Sequence, residues 1–226
     1  MSAPNPFTVT PQTRVRRSPA RASYDRAQAH AILDEALVAS VGFVQDGQPF
    51  VIPMAVARDG ERLILHAASS SRVASVLRAG ARICVTVTLL DGVVFARSAM
   101  HHSLNYRSLV VMGSTTELST DEEKLQALAR LVDHVLPGRS GGCRPPDPVE
   151  LKATSVFALP IEEASVKCRQ GGPLDDREDL ALPYWAGVVP LAQQSLSPIA
   201  DPLHAPRVPM PDALAAYRRG GGADRP

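Results

Sequence analysis

Three serines and an arginine stand together where a strand-like run of the sequence changes into a helix-like run. The stretch "LILHAASSSRVASVLRAG", residues 63–80, places Ser69, Ser70, Ser71 and Arg72 at that change. The first amides of a helix have no partner within the helix and favour an anion, and hydroxyl and guanidinium donors add to them. Serine is also a common helix N-cap. The local sequence therefore predicts either a capped helix with a solvated arginine or a cradle for a phosphate.

A second polar cluster, "HHSLNYRS" at residues 101–108, precedes another apolar run. Adjacent His101 and His102 would point to opposite faces of a strand, and no cysteine or carboxylate stands at ligand spacing, so the pattern argues against a metal site. The four later residues suit hydrogen bonds to a flat heterocycle or a phosphate, and equally suit a solvated turn: Asn105, Tyr106, Arg107 and Ser108.

Several single residues have both a structural and a functional interpretation. His66 ends a strand-like run just before the serines, where a histidine is more often structural than catalytic. Trp185, the only tryptophan, is expected to anchor a core or an interface or to cover an aromatic cofactor. Lys167 and Arg169 end a late strand-like run, where basic side chains are solvated or reach an anion.

The "GRSGG" segment at residues 138–142 matches the letters of the hydrolase nucleophile motif G-x-S-x-G. That motif requires a strand before the serine and a helix after it. Here a helix-like run and Pro137 precede the segment, and two prolines follow it. The sequence therefore predicts a flexible loop and not a hydrolase.

Turn signals place these residues on a mainly antiparallel framework. The Asp-Gly steps at 46–47 and 59–60 predict hairpins, because Asp-Gly adopts the positive φ angles of tight turns. A third step at 91–92 is expected to divide "RICVTVTLLDGVVFARS" into two strands. Two further segments are predicted to be a long strand bending at Gly113 and a last strand or pair: 107–119 and 154–169.

One helix is expected to start near residues 23–25 and to carry Ile32, Leu33, Ala36 and Leu37 on one side, a second to span 71–79, and a third to follow the capping box formed by Thr120 and Glu123. Around six or seven antiparallel strands with helices between them favour a β-barrel over a parallel sheet.

Composition restricts the class of protein. The formal net charge is +1 in 226 residues, which gives no indication of a nucleic-acid or membrane partner. Three separate cysteines argue for a reducing compartment and against disulfides or a zinc site. The arginine-rich start contains prolines that would break a targeting helix, so we expect a cytoplasmic protein.

Taken together, these stretches resemble the FMN-binding split-barrel superfamily, in the branch of pyridoxamine 5′-phosphate oxidase-like and flavin-nucleotide-binding proteins related to nitroimidazole-resistance proteins. The resemblance covers roughly residues 14–191 in order and includes "VGFVQDGQPFVIPM", "LILHAASSSRVASVL", "HHSLNYRSLVVMG" and "YWAGVVPL". It implies a mainly β, α+β fold: a six-stranded antiparallel split β-barrel that forms a homodimer. We therefore expect an N-terminal arm (1–22), an FMN-binding split-barrel domain (23–190) and an extended or poorly ordered tail (191–226).

The resemblance also implies which residues bind the cofactor. A strand backbone lies along the flavin ring, here matched by Ile52, Pro53, Met54 and Ala55. The serines and Arg72 would hold the phosphate, with His66 and Ala67 beside the ring or ribityl chain. Tyr106, Arg107 and Ser108 would reach in from the second subunit, and Lys167 and Arg169 match late basic residues of the family.

The implied cofactor is FMN, with FAD as the alternative, and no metal is expected. The leading hypothesis is a flavin-dependent oxidoreductase that acts on a small planar substrate, with NAD(P)H as a candidate donor and no assigned catalytic residue. The C-terminal segment rich in tryptophan, arginine and histidine that binds vitamin B6 substrates is missing, which argues against pyridoxamine-phosphate oxidation. The other hypotheses are a non-catalytic flavin carrier and a haem-binding relative that uses His66, His101 or His102.

Overall fold

The structure is a computed structural model that describes residues 6–203 and 208–218. Five α-helices lie in this part of the chain: α1 (Arg26–Glu35), α2 (Arg72–Arg78), α3 (Asp121–Val135), α4 (Pro148–Ala153) and α5 (Asp212–Ala215). The strands are β1 (Ala22–Ser23), β2 (Val38–Gln45), β3 (Gln48–Ala55), β4 (Ala57–Asp59), β5 (Arg62–Ala68), β6 (Ile83–Phe95), β7 (Ser103–Gly113), β8 (Thr116–Glu117), β9 (Thr154–Pro160), β10 (Glu163–Arg169) and β11 (Gly187–Pro190).

The strands form two antiparallel sheets. The first has the order β1-β10-β7-β6-β2-β3, with β11 also paired to β6, and the second has the order β4-β5-β9-β8. The mainly antiparallel α+β class expected from the sequence is confirmed. The described residues form eleven strands where six were expected: crossings between the sheets divide two runs, into β3 with β4 and β7 with β8, and short strands such as β1 and β11 add to the first sheet.

Two of these crossings explain how continuous sequence runs become separate strands. A single residue, Val56, separates β3 in the first sheet from β4 in the second. The expected bend at Gly113 separates β7 from β8, and the side chains of Ser114 and Thr115 anchor the crossing to carbonyls at the end of α2. A Cβ at Gly113 would lie 3.0 Å from a methyl carbon of Leu159, so the close packing there favours glycine.

The two predicted Asp-Gly hairpins are present. Asp46 and Gly47 both have positive φ angles, 52° and 75°, and join β2 to β3, as a type I′ turn requires. Gly60, with φ of 60°, lies in the connection between β4 and β5. The positive φ angles of these turn residues, which depend on local sequence, therefore determine where the two hairpins form.

The prediction of a third turn at Asp91-Gly92 is wrong. β6 runs without a break from Ile83 to Phe95, and Asp91 is an extra residue where the register with β7 shifts between Leu90 and Gly92. Two tertiary contacts explain this bulge. The Asp91 carboxylate binds Arg107, and Gly92 lies against β11, where a Cβ would approach the Val189 carbonyl to 3.1 Å.

The barrel interior forms the larger apolar core, and α3 covers a smaller one. The interior is filled by residues such as Val41, Val85, Leu109 and Phe157, all almost completely buried. Ile64 and Val156 face the other way, against Leu131 of α3. The predicted capping box opens α3, and its end at Pro137-Gly138 was also expected.

The N-terminal residues of the described chain are packed against the domain. Phe7 is buried, its amide donates to the carbonyl of Tyr24, and Arg26 lies 4.4 Å over its ring. "GRSGG" forms a 3-10 turn after α3, in which Ser140 binds Asp133, so the serine is not presented as a nucleophile. Among the described residues, no helix has both the length and the apolar character needed to span a membrane.

Candidate functional site

The serine cluster lies where β5 ends and α2 begins, as predicted. Ser71 is the N-cap of α2, and its hydroxyl oxygen accepts from the amide of Ala74. The Ser71 hydroxyl proton remains able to donate to a ligand. The Ser69 hydroxyl is already used in hydrogen bonds within the chain, because it donates to the Lys152 carbonyl and accepts from Ser155. Ser70 is exposed, so Ser70 and Ser71 are the serines best placed to bind an anion.

Arg72 is an uncompensated cation beside this cluster. Its guanidinium lies 4.3 Å from the centroid of the Phe50 ring on β3, and Arg72 forms no ion pair with a carboxylate of the described residues. Arg78, at the other end of α2, pairs with Glu117 at 2.8 Å and also binds Ser155. Of these two arginines, Arg72 is therefore the one available to a phosphate.

The strand predicted to border a flavin ring is an open sheet edge. β3 is the last strand of the first sheet, so half of its backbone groups face away from β2. Ile52 and Met54 point into the core, whereas Pro53 and Ala55 are exposed on the outer face. Because Phe50 touches Arg72, this edge and the serine cluster adjoin each other.

His66 and Ala67 lie on β5 just before the serines, but they point to opposite faces of the strand. Ala67 packs against the barrel core, whereas His66 shares the face of Ile64, which packs beneath α3. The Nδ1 atom of His66 is buried and has no hydrogen-bond partner among the described residues. Burial lowers the pKa of His66 because the charged imidazolium loses hydration.

Arg107 is already bound by two carboxylates of its own chain. Its guanidinium nitrogens lie 2.6 and 2.9 Å from the oxygens of Glu35 and 2.8–2.9 Å from those of Asp91. These two acids raise the pKa of Arg107 well above its usual value. Arg107 therefore links α1 to the bulge of β6, and the sequence alone did not indicate this structural role.

The remaining predicted residues form a second group on the outer face of the first sheet. Tyr106 lies opposite Arg169, and Ser108 opposite Lys167, across the β7–β10 pair. The Ser108 hydroxyl donates to the Lys167 carbonyl at 3.0 Å. β7 is three strands from β3, which corresponds to roughly 14 Å at the usual strand spacing. Within one chain, this group is therefore separate from Arg72 and the β3 edge.

Arg169 is the most buried cation of this second group, with 5% of its surface exposed. It donates to the Asn105 side chain and to the carbonyls of Gly171 and Gly172, while its Nε atom has no partner among the described residues. Burial, together with the nearby charge of Arg21, lowers the pKa of Arg169. The arginine holds the loop after β10 and is not neutralised by a carboxylate of the described chain.

Two surface pockets lie apart from the serine cluster and Arg72. One, of about 640 Å³, is bordered by the N-terminal segment, and the other, of about 360 Å³, lies between the end of α3 and α5. Neither is lined by Arg72 or by β3. The Arg72 site is instead an open surface, with Ser70, Pro53 and Ala55 all exposed.

The paired histidines differ in their surroundings. His101 is engaged at both nitrogens: Nδ1 lies 2.6 Å from the Leu174 carbonyl, and Nε2 lies 3.6 Å from Asp176. His102 lies 3.0 Å through Nδ1 from the Ser98 carbonyl and packs edge-on against Phe95, 5.7 Å between ring centroids. The described residues contain no cluster of three or more His, Cys, Asp or Glu side chains suited to a metal ion.

Comparison with known proteins gives the family of this fold. A family model described as pyridoxamine 5′-phosphate oxidase matches residues 25–168. The flavocytochrome Anf3 from Azotobacter vinelandii is 42% identical, with 93% of this chain and 98% of that chain covered and a TM-score of 0.89. An FAD and heme binding protein from Mycobacterium smegmatis is 37% identical, with 86% and 95% covered and a TM-score of 0.82.

A more distant structure has the same fold. A candidate 5-nitroimidazole antibiotic resistance protein from Bacteroides thetaiotaomicron is 20% identical, with 65% of this chain and 85% of that chain covered and a TM-score of 0.56. No curated protein sequence matches the chain. The family match spans both α1 and β10, and the two closer relatives extend it through most of the chain. The chain therefore belongs to the pyridoxamine 5′-phosphate oxidase family.

Proposed function

We propose that this protein binds a flavin and transfers electrons through it. The observation that carries the proposal is the likeness, over 93% of the chain, to a flavocytochrome of 42% identity. The arrangement of the chain supports it, because Arg72 is a cation without a carboxylate partner among the described residues and adjoins the open edge of β3. A flavin phosphate would supply the negative charge that Arg72 lacks as a partner. The flavin ring would form hydrogen bonds with the backbone donors and acceptors on the open edge of β3.

In this proposal, Arg72, Ser70 and Ser71 bind the phosphate, and the outer backbone groups of Ile52–Ala55 face the flavin ring. The flavin supplies reversible one- and two-electron transfer, and the protein supplies binding and orientation. FMN, the form expected from the sequence, stays a prediction. The M. smegmatis relative is described as binding FAD, so both forms belong in the assay.

The absorption spectrum of the purified full-length protein tests flavin binding. We expect the bands of an oxidised flavin, either as purified or after addition of FMN or FAD followed by gel filtration. Mass spectrometry of the released cofactor identifies the form. A protein that retains neither flavin after reconstitution contradicts the proposal.

We further propose a homodimer in which Tyr106, Ser108 and Lys167 of one subunit complete the flavin site of the other. The outer face of β2 and β3 supports this arrangement. Its eight positions contain no charged residue: Val38, Ser40, Gly42, Val44, Pro49, Val51, Pro53 and Ala55. Val38, Val44 and Val51 are 55–69% exposed, and an uncharged, apolar sheet face of this kind is typical of a protein interface.

Sedimentation of a Val51→Lys variant tests the dimer. We expect a shift to monomer, because a lysine at the centre of an uncharged interface would lose hydration without gaining a partner. Val149→Lys is the matched control, since Val149 is 76% exposed on α4, away from this face. A wild-type monomer that carries flavin would contradict the proposed dimer.

Electron transfer from NAD(P)H to a small planar acceptor is the proposed reaction. No side chain near Arg72 is assigned as an acid or base, in keeping with a reaction carried by the cofactor itself. Anaerobic addition of NADH or NADPH should bleach the flavin, and a nitroaromatic or oxygen should restore it. A bound flavin that neither donor reduces would favour a carrier.

The cytoplasmic location stays a prediction.

A haem-binding function is the second candidate, because the A. vinelandii relative is described as a flavocytochrome and the M. smegmatis relative as an FAD and heme binding protein. Of the three histidines considered, His102 is the best placed. A proton on Nδ1 donated to the Ser98 carbonyl leaves the lone pair on Nε2, as in most ligating histidines. His66 lies half-buried beneath α3, and His101 is engaged at both nitrogens.

The surface around His102 also suits a flat apolar ring. Phe95 packs against His102, and the centroid of its ring lies 6.0 Å from the ring centroid of Trp185. Trp185 is 68% exposed. Trp185 is packed so closely on Gly187 that a Cβ there would lie 2.8 Å from the indole. Haem titration should give a Soret band that His102→Ala weakens and His101→Ala preserves. Equal spectra for wild type and His102→Ala would exclude His102 as the ligand.

A further inference from the structure

The segment that precedes α1 concentrates positive charge. Residues 6–24 contain no acidic residue and four arginines: Arg14, Arg16, Arg17 and Arg21. In the described part of the chain, none of the four is paired with a carboxylate. The first acid that follows them, Asp25, caps α1, and its carboxylate accepts from the Ala27 amide. The segment therefore carries a charge that its own neighbours do not neutralise.

Hydrogen bonds hold this segment in a defined shape. The Thr10 amide donates to the Thr13 hydroxyl oxygen at 2.9 Å, and the Thr13 amide donates to the Thr10 hydroxyl oxygen at 3.2 Å. The Tyr24 hydroxyl accepts from the Val15 amide at 3.1 Å and donates to the Thr13 carbonyl at 3.3 Å. The arginines therefore extend from an ordered backbone, which lowers the entropy lost when a ligand binds.

Two of the arginines line a pocket of about 640 Å³. This volume lies within the range of small-molecule sites, roughly 300–1,000 Å³. Arg14 and Arg16 form its cationic side, and four other residues supply mainly apolar surface: Val9, Val15, Pro19 and Tyr24. A guanidinium matches two phosphate oxygens with its planar fork, and the apolar surface suits the organic part of a ligand. The pocket therefore has the chemistry of a site for a phosphorylated small molecule.

Strand β10 brings two more cations to the same region. Ala22, which also lines the pocket, lies opposite Lys167 across the β1–β10 pair. Arg169 is almost fully buried, and its Nε atom lacks a hydrogen-bond partner within the described chain. Burial and then the charge of Arg21 lower the pKa of Arg169, so these two cations are close enough to repel each other. A bound anion would relieve this repulsion.

We propose that this pocket binds a small molecule with two adjacent phosphate groups, such as a nucleoside diphosphate. Four arginines within eight positions match more than one negative charge. The pocket is separate from the Arg72 site, because β1 and β3 end the strand order of the first sheet on opposite sides. This second site requires neither the proposed flavin nor the proposed dimer.

Calorimetric titration of the full-length protein with ADP tests the site, at an ionic strength of about 0.15 M so that distant charges are screened. We expect ADP and inorganic pyrophosphate to bind, and adenosine to bind at least tenfold more weakly because it has no phosphate. Arg14→Gln combined with Arg16→Gln should weaken ADP binding at least tenfold. Both side chains are exposed, so the variant should unfold at the wild-type temperature.

The matched control is Arg139→Gln combined with Arg177→Gln. It removes the same charge from two exposed arginines that do not line the pocket, and it should change ADP affinity less than twofold. A wild type that binds neither ADP nor pyrophosphate would overturn the site. An equal loss in the two double variants would also overturn it, because binding would then depend only on net charge.

Flavin and dinucleotide titrations separate this pocket from the flavin site. The Arg14 and Arg16 double variant should keep its affinity for FMN and FAD, and Arg72→Ala should keep its affinity for ADP. A double variant that loses FAD as well as ADP, but keeps FMN, would assign the arginines to the flavin and refute a separate site. Displacement of ADP by NADPH would support a dinucleotide ligand, and displacement by pyrophosphate alone would support a free nucleotide.

Discussion

Removal of the Arg72 guanidinium is the sharpest perturbation of the proposed flavin site. The side chain is exposed and contacts Phe50 without a carboxylate partner among the described residues, so Arg72→Ala should change folding little. The loss of an exposed cation–π contact costs about 0.5–1 kcal/mol. Ser71 is left in place because it caps α2.

The expected loss of flavin affinity is larger than this loss of stability. A hydrogen bond to a charged group contributes roughly 1.5–3 kcal/mol, which corresponds to about a 10- to 150-fold rise in the dissociation constant. Arg78→Ala is the matched control on the same helix. It breaks the contacts with Glu117 and Ser155, so it should destabilise the fold while flavin affinity stays within about twofold.

Fluorescence titration of the apoprotein with FMN and FAD measures both affinities. Phosphate-free riboflavin provides an internal test, because Arg72→Ala should leave its affinity nearly unchanged if the guanidinium binds phosphate. Equal FMN affinities in wild type and Arg72→Ala would refute the assignment of Arg72. An equal loss for riboflavin and FMN would show that Arg72 acts through the ring or the fold.

Three further predictions concern stability and packing. Burial lowers the pKa of His66, so just below the ordinary histidine pKa the unfolded state binds more protons than the folded state. The free energy of unfolding should therefore fall as the pH drops below about 6.5. In urea titrations, His66→Gln should make this fall smaller. Arg107→Met leaves Glu35 and Asp91 without their shared cation and should lower the free energy of unfolding by roughly 1–3 kcal/mol, whereas equal stability would show that the three charges are not coupled. Gly92→Ala forces a Cβ against the Val189 carbonyl, so limited proteolysis should cut residues 170–190 faster in the variant than in wild type, and identical digestion patterns would count against the packing of β11.

Local signals in the sequence were sufficient for most elements around the proposed site. The positive φ angles at Asp46 and Gly47, the cap at Ser71 and the capping box at Thr120 each depend on residues within a few positions, and each was predicted. The bulge at Asp91 was not, because it depends on Arg107 and on β11, both distant in sequence. The same Asp-Gly letters therefore make a hairpin at 46–47 and continue a strand at 91–92.

The candidate site shows the same limit. The sequence placed the serines and Arg72 at a strand-to-helix turn, but it could not show that Ser69 is bound to the Lys152 carbonyl or that Arg107 is held by Glu35 and Asp91. These partners are 16 to 83 positions away along the chain. Phe50 was missed as the neighbour of Arg72 because no local pattern relates a strand aromatic to a distant helix N-terminus.

A crystal structure of the protein with bound flavin would show directly whether Arg72 and β3 form the flavin site. We expect flavin phosphate oxygens within hydrogen-bonding distance of the Arg72 guanidinium, the ring along the outer edge of β3, and contacts from a second subunit through Tyr106, Ser108 or Lys167. A flavin bound elsewhere on the chain, with Arg72 in solvent and no contact from a second subunit, would contradict the account.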